Sequence, residues 1–385
     1  MKICSVVGAR PNFIKIAPFC RALRKYNETA PAGGAIGHWL VHTGQHYDDR
    51  MSQAFFHELG IPQADVNLGI GSGSHAEQVG KTMIAFEKVV RETRPDWIVV
   101  VGDVNATCAC SIVAKKEHVQ LAHIEAGLRS FDLDMPEEIN RLVTDRLSDL
   151  LFVPDRISEG NLLREGVPAG KIRFVGNIMI DTLREQMPAA GRRNVDEIVA
   201  ANRIDAGIAR GPWNGREGFA LVTLHRPSNV DDAAGLRRIA DFICGELASD
   251  LAVLWPIHPR AKLQLETHGL WRQVAECGRV FLLRPLGYHD LLKINMEARL
   301  VVTDSGGLQE ECCVLGTPCL TLRPNTERPV TLLEHGGVSL LVGNDPVRMR
   351  EGYRRLSAMA RTPMQPELWD GHAAERIVRH MAALA

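Results

Sequence analysis

Short apolar runs rich in β-branched residues alternate with longer stretches of helical periodicity along most of the chain. This alternation is typical of βαβ units, and it predicts an α/β protein built on parallel sheets. The first half contains predicted strands at Lys2–Val7, His38–Thr43, Trp97–Gly102, His118–His123, Asp149–Val153 and Lys171–Val175. The second half contains predicted strands at Phe219–Leu224, Leu251–Ile257, Arg279–Leu283, Arg299–Thr303, Pro318–Leu322 and Val338–Val342. We therefore expect two similar domains, each with a doubly wound sheet, that face each other across a cleft.

The composition is that of an ordinary globular protein. The chain has 385 residues, of which 45% are hydrophobic and 24% are charged, and this length exceeds what a single core usually accommodates. The net charge of -1 gives no basic surface for nucleic acid, and no apolar run is long enough to cross a membrane. The nine cysteines lie mostly in apolar runs, where we expect them to be small buried hydrophobes, and they lack the spacing of a zinc site. We therefore expect a cytoplasmic protein without a metal, a nucleic-acid partner or a membrane partner.

A strand, a tight turn and a helix are predicted in succession near residue 305. The apolar run that ends at Thr303 is followed by Asp304, Ser305, Gly306 and Gly307, and then by a helical pattern. Glycines let the backbone approach an anion closely, and the N–H groups and dipole of a helix start attract negative charge. The turn is therefore a candidate phosphate site, with a purely geometric need for glycine as the alternative.

Two cations follow the first predicted strand. Arg10 and Lys15 lie near its junction with a helix. A dinucleotide-binding protein would have G-x-G-x-x-G at this junction, and the single Gly8 therefore gives poor support to a nicotinamide site. Lys15 interrupts an apolar stretch, where a solvated lysine is less expected. We predict that both cations contact an anion, and surface charge near a helix start is the alternative.

Carboxylates follow the third and fourth predicted strands. Asp103 comes after the third strand, and Glu125 and Glu137 come after the fourth. The carboxyl ends of parallel strands meet at one crevice, so we expect these acids to lie close together, although each alone could be a helix cap or a surface residue. Carboxylates beside cations are what proton transfer at carbon requires, because one acts as the base while another carries a proton. His225, which opens a helix-like segment in the second half, is a further candidate.

Motifs distributed over nearly the whole chain match those of one enzyme family in the same order. They are Gly8-Ala9-Arg10-Pro11 with Lys15, Thr43-Gly44-Gln45-His46, Gly102-Asp103, His123–Arg129, Pro136-Glu137-Glu138, Asp304–Gly307 with Glu310-Glu311, and Thr326–Pro329. By these motifs the chain resembles the non-hydrolysing UDP-N-acetylglucosamine 2-epimerases. The resemblance implies the GT-B fold, with two Rossmann-like domains and a C-terminal helix that crosses back to the first domain. The domains would be residues 1–177 plus 366–385, and residues 178–365.

This family interconverts UDP-GlcNAc and UDP-ManNAc without NAD, metal or another cofactor. The resemblance implies that a proton leaves the second sugar carbon and that UDP is eliminated from the first, which leaves 2-acetamidoglucal and UDP. Re-addition of UDP with protonation from the other face gives the epimer. The resemblance also implies a homodimer that serves polysaccharide biosynthesis, with a UDP-sugar and UDP as its ligands.

The resemblance also assigns roles to individual residues. Asp103, Glu125 and Glu137 match the carboxylates of proton transfer, and it leaves open which of them is the base. Lys15 and His225 match residues that support charge at the reacting centre. Substrate binding is assigned to Arg10, His225, Ser305, Gly306 and Gly307 at the diphosphate, Gln45 and His46 in the loop after the second strand, Glu311 at the ribose, Arg328 at the sugar, and Leu286, Tyr288 and Leu291 near the uracil.

Two departures from the family pattern change the expectation. Many bacterial members have His-Arg-Arg-Glu where this chain has His225-Arg226-Pro227-Ser228, and Lys-Glu-Arg-Gln where it has residues 71–78. The second stretch belongs to an allosteric site in those members, so we expect weak or no activation by UDP-GlcNAc. The changes also resemble relatives that act on modified UDP-sugars, such as UDP-2,3-diacetamido-2,3-dideoxyglucuronate. Further alternatives are a GT-B glycosyltransferase, a hydrolysing epimerase, and a UDP-sugar sensor without activity.

Overall fold

The chain forms two units, each built around one parallel sheet. The computed structural model describes residues 1–8, 10–31, 33–44, 59–204, 213 and 218–384, except for the side chains of Arg10 and Pro11. Unit 1 comprises Met1–Glu185 with Pro366–Ala385, and unit 2 comprises Gln186–Gln365. The predicted α/β class with two parallel-sheet domains is therefore confirmed.

The sheet of unit 1 has the strand order β3-β2-β1-β4-β5-β6-β7. Its strands are β1 Lys2–Val7, β2 Gly37–His42, β3 Val66–Asn67, β4 Trp97–Val101, β5 Gln120–Ile124, β6 Leu150–Val153 and β7 Ile172–Phe174. Strand β1 pairs in parallel with both β2 and β4. The strand order reverses between β1 and β4, and ligands of such sheets bind outside the carboxyl ends of the strands at this point.

Helices alternate with the strands of this unit, and the sheet and helices share an apolar core. They are α1 Arg10–Thr29, α2 His75–Thr93, α3 Asn105–Lys116, α4 Pro136–Leu147, α5 Arg156–Arg164 and α6 Ile178–Gly191. Helix α2 begins with a capping box between Ser74 and Glu77, and it ends where Arg94 adopts a left-handed conformation. Its apolar face packs Phe86 and Val90 against Val100 of β4. Capping and packing together therefore fix this helix on the sheet.

The sheet of unit 2 has the strand order β10-β9-β8-β11-β12-β13. Its strands are β8 Phe219–Thr223, β9 Ala252–Pro256, β10 Val280–Leu283, β11 Leu300–Thr303, β12 Cys319–Thr321 and β13 Ser339–Leu341. This order repeats that of β1 to β6 in unit 1, with β8 in the place of β1 and β11 in the place of β4. The carboxyl ends of β8 and β11 are therefore the equivalent position in the second sheet.

The helices of unit 2 precede, connect and follow these strands in the sequence. The core of this unit includes the fully buried Trp255. They are α7 Val195–Asn202, α8 Pro227–Val230, α9 Ala233–Phe242, α10 Ala248–Asp250, α11 Pro259–Thr267, α12 Trp271–Glu276, α13 Tyr288–Glu297, α14 Gly306–Leu315 and α15 Pro346–Ser357. A π-helical turn at Ile243–Leu247 joins α9 to α10.

The last helix, α16 at Ala373–Ala382, returns to unit 1 and packs against α1. Its first turn is held by Asp181 of α6, whose carboxylate accepts N–H bonds from Ala373 at 3.1 Å and Ala374 at 2.7 Å. Burial raises the pKa of Asp181 to about 6. Unit 1 is therefore completed by a segment that follows unit 2 in the sequence.

The predicted strands agree with the structure to within two residues at either end. Strand β3 was not predicted, because its two residues are too few to show an alternating pattern. The prediction that the cysteines are buried is wrong for Cys244 and Cys277, which are half-buried between the π-helical turn and the end of α12. No helix in the described part of the chain is long and apolar enough to span a membrane.

Candidate active site

Lys15 and Glu125 form a buried ion pair at the carboxyl ends of β1 and β5. Nζ of Lys15 contacts Oε2 of Glu125, and the two side chains are 7% and 1% exposed. Glu125 follows β5 directly and has a φ of 71°, a left-handed conformation that costs a residue with a side chain about 1–3 kcal/mol. Backbone strain of this kind clusters at functional sites. The pair therefore places a fixed, charge-compensated carboxylate at the end of the sheet.

Gly102 allows the end of β4 to approach α1 closely. Its φ is 67°, and a Cβ at this position would lie 3.1 Å from Nζ of Lys15 and 3.2 Å from Nδ2 of Asn12. The same amide of Asn12 donates to the carbonyl of Val101 at 2.7 Å. A side chain at Gly102 would therefore push Lys15 away from Glu125, and glycine is required by this approach as well as by the backbone conformation.

Asp103 is held by a buried arginine. Nη1 of Arg141 donates to Oδ2 of Asp103 at 2.5 Å, while Nη2 and Nε donate to Glu138 at 2.5 and 2.8 Å. The Arg141 and Glu138 side chains are each 2% exposed, whereas the Asp103 side chain is 23% exposed. Asp103 is therefore a fixed carboxylate that solvent or a ligand can still reach.

Glu137 and Glu138 are adjacent on the first turn of α4 but have different environments. Glu138 is buried, and it also accepts backbone N–H bonds from Ser130 at 3.1 Å and Phe131 at 2.9 Å. Glu137 is half-buried. Successive helical side chains point about 100° apart, so only one of two neighbouring acids can face the core. The structure therefore brings Lys15 and Glu125 together, and Glu138 is the acid that binds Arg141 beside Asp103. The role of Glu137 in proton transfer stays a prediction.

Asp304 joins the ends of β8 and β11 in unit 2. This carboxylate is fully buried, and it accepts backbone N–H bonds from His225 and Arg226 and a side-chain bond from Asn229 at 3.2 Å. Nδ1 of His225 also lies 2.9 Å from Oδ1 of Asp304. Burial by itself would raise the pKa of Asp304, but these donors outweigh it and the pKa is lowered. The His225 side chain remains 43% exposed, so its other edge can reach a ligand.

The first turn of α14 carries the glycines of the predicted phosphate turn. Oγ of Ser305 caps the helix by accepting from the N–H of Leu308 at 3.4 Å. The N–H groups of a first helical turn have no carbonyl partner inside the helix, and they carry partial positive charge. A Cβ on Gly306 would lie 2.6 Å from Oε1 of Glu327, so glycine is required here. This arrangement is consistent with the predicted phosphate turn at Ser305, Gly306 and Gly307.

A cluster of buried charges lies behind this turn. Glu327 pairs with Arg323 at 2.6 Å and with Arg328 at 2.9 Å, and Arg226 is 3.9 Å away. Nε of Arg328 is also 2.7 Å from Glu310. Burial acts to raise the pKa of Glu327, but the arginines hold it well below its usual range. Three arginines and two glutamates therefore meet behind the first turn of α14.

Glu311 is a buried residue in the second turn of α14. Its Oε1 accepts from the hydroxyl of Tyr288 at 3.0 Å, and burial raises the pKa of Glu311 to about 7, with a smaller contribution from the charge of Glu310. Tyr288 and Leu286 are buried, and Leu291 on α13 is half-buried. The structure thus brings Glu311 and Tyr288 into contact, while their roles at ribose and uracil stay predictions.

The structure does not describe every predicted site residue, and the sequence did not indicate every partner of the site residues. Gln45, His46 and the side chain of Arg10 lie outside the described residues. Sequence reasoning missed the partners that fix the acids and arginines, which are Glu138, Arg141, Asp145, Arg323 and Glu327. The i,i+3 spacing of Glu138 and Arg141 was the available signal for one of these pairs. Across the described ranges, no group of three or more His, Cys, Asp or Glu side chains is placed to hold a metal ion.

Similarity to known proteins identifies the family. A family model described as UDP-N-acetylglucosamine 2-epimerase matches residues 32–382. The chain belongs to the UDP-N-acetylglucosamine 2-epimerase family. The family resemblance inferred from the sequence motifs is confirmed, and so is the classification of the chain as an epimerase, which is an isomerase.

Members of this family resemble the chain over its full length. The UDP-N-acetylglucosamine 2-epimerase of Methanocaldococcus jannaschii is 40% identical over 381 residues, which cover 98% of each chain. The crystal structure of the Methanocaldococcus jannaschii UDP-GlcNAc 2-epimerase in complex with UDP-GlcNAc and UDP has a TM-score of 0.88 at 39% identity and covers 100% of both chains. The UDP-2,3-diacetamido-2,3-dideoxy-D-glucuronate 2-epimerase of Pseudomonas aeruginosa is 36% identical and covers 100% of each chain.

Proposed function

We propose that the chain interconverts UDP-GlcNAc and UDP-ManNAc by proton exchange at the second sugar carbon, with UDP eliminated and added back. The observation that carries the proposal is the pair of differently held carboxylates in unit 1, Glu125 against Lys15 and Asp103 against Arg141. A non-hydrolysing 2-epimerase needs acid and base groups on a path to one carbon, and a glycosyltransferase does not. Similarity to a crystal structure that contains UDP-GlcNAc and UDP supports the choice of nucleotide sugar.

In this proposal the carboxylates of unit 1 move the proton. Asp103 and Glu125 have separate cationic partners, so either can change its protonation state without taking the counter-charge of the other. An acid and a base in matched positions typically accelerate proton transfer about 100- to 10,000-fold each. Which of them abstracts the proton is left open, and Glu137 remains a proposed third participant.

The first turn of α14 serves the departing UDP. Negative charge grows on the diphosphate as the bond to the first sugar carbon breaks, and fixed donors that are already in place stabilise it without reorganisation. The N–H groups that follow Ser305, the exposed edge of His225 and the nearby Arg226 are the proposed donors. No step of this scheme needs NAD or a metal ion.

The decisive experiment is proton NMR with UDP-GlcNAc in heavy water, with a chelator and without NAD. We expect UDP-ManNAc to appear with deuterium at the second sugar carbon. Release of free ManNAc together with UDP would instead identify a hydrolysing epimerase, and sugar transfer to an acceptor without exchange would identify a glycosyltransferase. Binding of UDP without any turnover would leave only a sensor.

A second candidate substrate is the UDP-2,3-diacetamido-2,3-dideoxyglucuronate nucleotide. The full-length similarity to the Pseudomonas aeruginosa enzyme favours it, as does the sequence Pro227-Ser228 in place of Arg-Glu. Parallel exchange measurements on both nucleotides decide between them, because the true substrate has the higher kcat/KM under identical conditions.

Activation by the substrate is the property in which we expect the chain to differ from many bacterial relatives. Residues 71–78 lack their Lys-Glu-Arg-Gln sequence. Ser74 and Glu77 in this stretch form the capping box of α2. We expect a hyperbolic rate curve for UDP-GlcNAc and turnover of pure UDP-ManNAc without added UDP-GlcNAc. A sigmoidal curve, or a lag that UDP-GlcNAc removes, would contradict this expectation.

The family resemblance also supports a cytoplasmic homodimer that serves polysaccharide biosynthesis. Sedimentation equilibrium at several protein concentrations measures the oligomeric state directly. A mass of one chain at micromolar concentration would contradict the dimer.

A further inference from the structure

A line of charged side chains, buried except for Glu165, connects the loop after β5 with the turn after β4. Asp145 on α4 lies at its centre, with Oδ1 2.7 Å from Nδ1 of His123 and Oδ2 accepting from Nη1 of Arg129 at 2.7 Å and the N–H of Gly127 at 3.0 Å. Arg129 makes two further bonds to Glu165, at 2.8 and 2.7 Å. His123 is fully buried and Asp145 is 2% exposed. None of these four ionisable residues belongs to the proton path proposed above.

The hydrogen bonds of His123 define its protonation. Its Nε2 lies 2.9 Å from the carbonyl oxygen of Gly102, and a carbonyl oxygen can only accept. Its Nδ1 faces Asp145, and the pKa of that carboxyl is lowered, since hydrogen bonds from the imidazole and from Arg129 outweigh the effect of burial. An ionised carboxylate also can only accept. Both ring nitrogens must therefore donate, and only the imidazolium cation has two N–H groups.

The charges around this ring compensate one another. Arg129 and the His123 imidazolium are positive, whereas Asp145 and Glu165 are negative, so these four groups are neutral together. The neighbouring ion pair of Lys15 and Glu125 is also neutral. A buried cation needs such a set of partners, because ion pairs and hydrogen bonds must offset the hydration free energy that it loses on burial.

We propose that His123 is a positioning residue which, as an imidazolium, fixes the turn that carries Asp103. Three bonds hold this turn. Nε2 of His123 binds the carbonyl of Gly102, Asn140 donates to the carbonyl of Asp103 at 2.9 Å, and Arg141 binds the carboxylate of Asp103. This inference rests on the proposed role of Asp103 in proton transfer. It assigns to His123 no contact with the substrate.

The protonation is tested on the whole protein by NMR with ¹⁵N-labelled histidine, without any substrate. His38 on β2 is a matched control, because its Nε2 lies 3.0 Å from the hydroxyl of Ser5, which can donate or accept, and burial lowers the pKa of His38 to about 4. At pH 7 we expect two protonated nitrogens for His123 and a neutral ring for His38. A His123 ring with one unprotonated nitrogen at pH 7 would overturn the proposal. The His123→Gln spectrum assigns the signals.

The positioning role is tested by kinetics. We expect His123→Gln to lower kcat for deuterium exchange by about tenfold or more, because small displacements of a reacting group cost rate steeply, while the Kd for UDP changes less than about twofold. Asn161→Ala is the control, since the buried Asn161 amide donates to the carbonyl of Gly127 at 2.9 Å in the same region. It should lower Tm without lowering kcat.

Two results separate the possible failures. If kcat falls equally in Asn161→Ala and His123→Gln, His123 has only a general structural role, and the proposal is overturned. If the wild-type protein exchanges no proton with either nucleotide sugar, the proposed function fails, and the ring protonation still decides whether His123 is the cation that its contacts require.

Discussion

Asp103 and Asp304 follow equivalent strands in two sheets of the same order, yet their surroundings are opposite. Strand β4 lies between β1 and β5, and β11 lies between β8 and β12. Asp103 is 23% exposed and is held at one oxygen by Arg141. Asp304 is fully buried, and backbone N–H groups, an amide and an imidazole surround it. Asp103 can therefore be reached from solvent, whereas the oxygens of Asp304 accept bonds that stabilise a turn.

The comparison shows how one architecture supports two kinds of site. The reversal of strand order supplies an open crevice in either sheet, but the residues that follow the strands decide its charge. Unit 1 places acids there, each beside a cation. Unit 2 buries Asp304 under the turn and places arginines paired with glutamates behind the first turn of α14. Fold and site chemistry are therefore separate properties of each unit.

The sharpest test of this comparison is Asp103→Asn. We expect turnover to fall by about 100- to 10,000-fold, while Tm and the Kd for UDP stay close to those of the wild type, since the side chain is partly exposed and the amide retains its shape. Deuterium exchange at the second sugar carbon measures the first quantity, and thermal unfolding with and without UDP measures the other two. Turnover near the wild-type rate would remove Asp103 from the proton path.

The equivalent substitution in unit 2, Asp304→Asn, should act on stability. Loss of one partner in a buried ionic network costs about 3–5 kcal/mol, and the asparagine keeps only one of the two oxygens that accept bonds at the ends of β8 and β11. Urea unfolding measures the free energy of unfolding, and titration calorimetry measures the affinity for UDP. A variant with unchanged stability and specifically lost turnover would show that Asp304 resembles Asp103 in function, and the comparison would collapse.

A smaller effect is expected for Gly306→Ala. The new Cβ would lie 2.6 Å from Oε1 of Glu327, and two arginines prevent this carboxylate from moving away. We expect a loss of about 1–3 kcal/mol in the free energy of unfolding together with weaker binding of UDP. The control is Gly80→Ala on α2, where the Cβ would have no atom within 4 Å. That change should stabilise the protein by up to about 1 kcal/mol, and equal losses in both variants would contradict the crowding at Gly306.

The mildest test uses pH. Burial raises the pKa of Glu311 to about 7 from its ordinary value of 4.5, so the folded state binds more protons than the unfolded state between these values. Its contribution to stability is present below about pH 4.5 and is lost as the pH rises through about 7. We expect the free energy of unfolding to fall by a few kcal/mol between about pH 4.5 and 7, and Glu311→Gln to reduce this slope in the same window. Asp181 in unit 1 produces the same sign in the lower window between 3.8 and about 6.

The sequence predicted the strands and the family well, because both depend on local patterns. Alternating apolar runs identify strands without reference to the rest of the fold, and the motifs lie where those strands end. The partners of the site residues were harder to find. Arg141 is 38 positions from Asp103, and Asp145 is 22 positions from His123, so only the folded topology brings them together.

Burial of adjacent residues was the second limit. The sequence offers Glu137 and Glu138 as equals, and the rotation of α4 about its axis decides which of them faces Arg141. Cys244 illustrates the same point, because its apolar run suggests burial, while the π-helical turn around it leaves the thiol half-buried. Tertiary packing sets such rotations, and a single sequence does not encode them in a visible pattern.

Helix α16 has a consequence for how the molecule assembles. The bonds from Ala373 and Ala374 to Asp181 close a loop of 192 and 193 positions, and the whole of unit 2 lies inside that loop. During synthesis, unit 2 can gain its core as soon as Gln365 has left the ribosome, whereas unit 1 must wait with α1 uncovered although its own sheet was made first. The order of completion is therefore the reverse of the order of synthesis, and the early, unfinished unit is the one most exposed to aggregation and to chaperones.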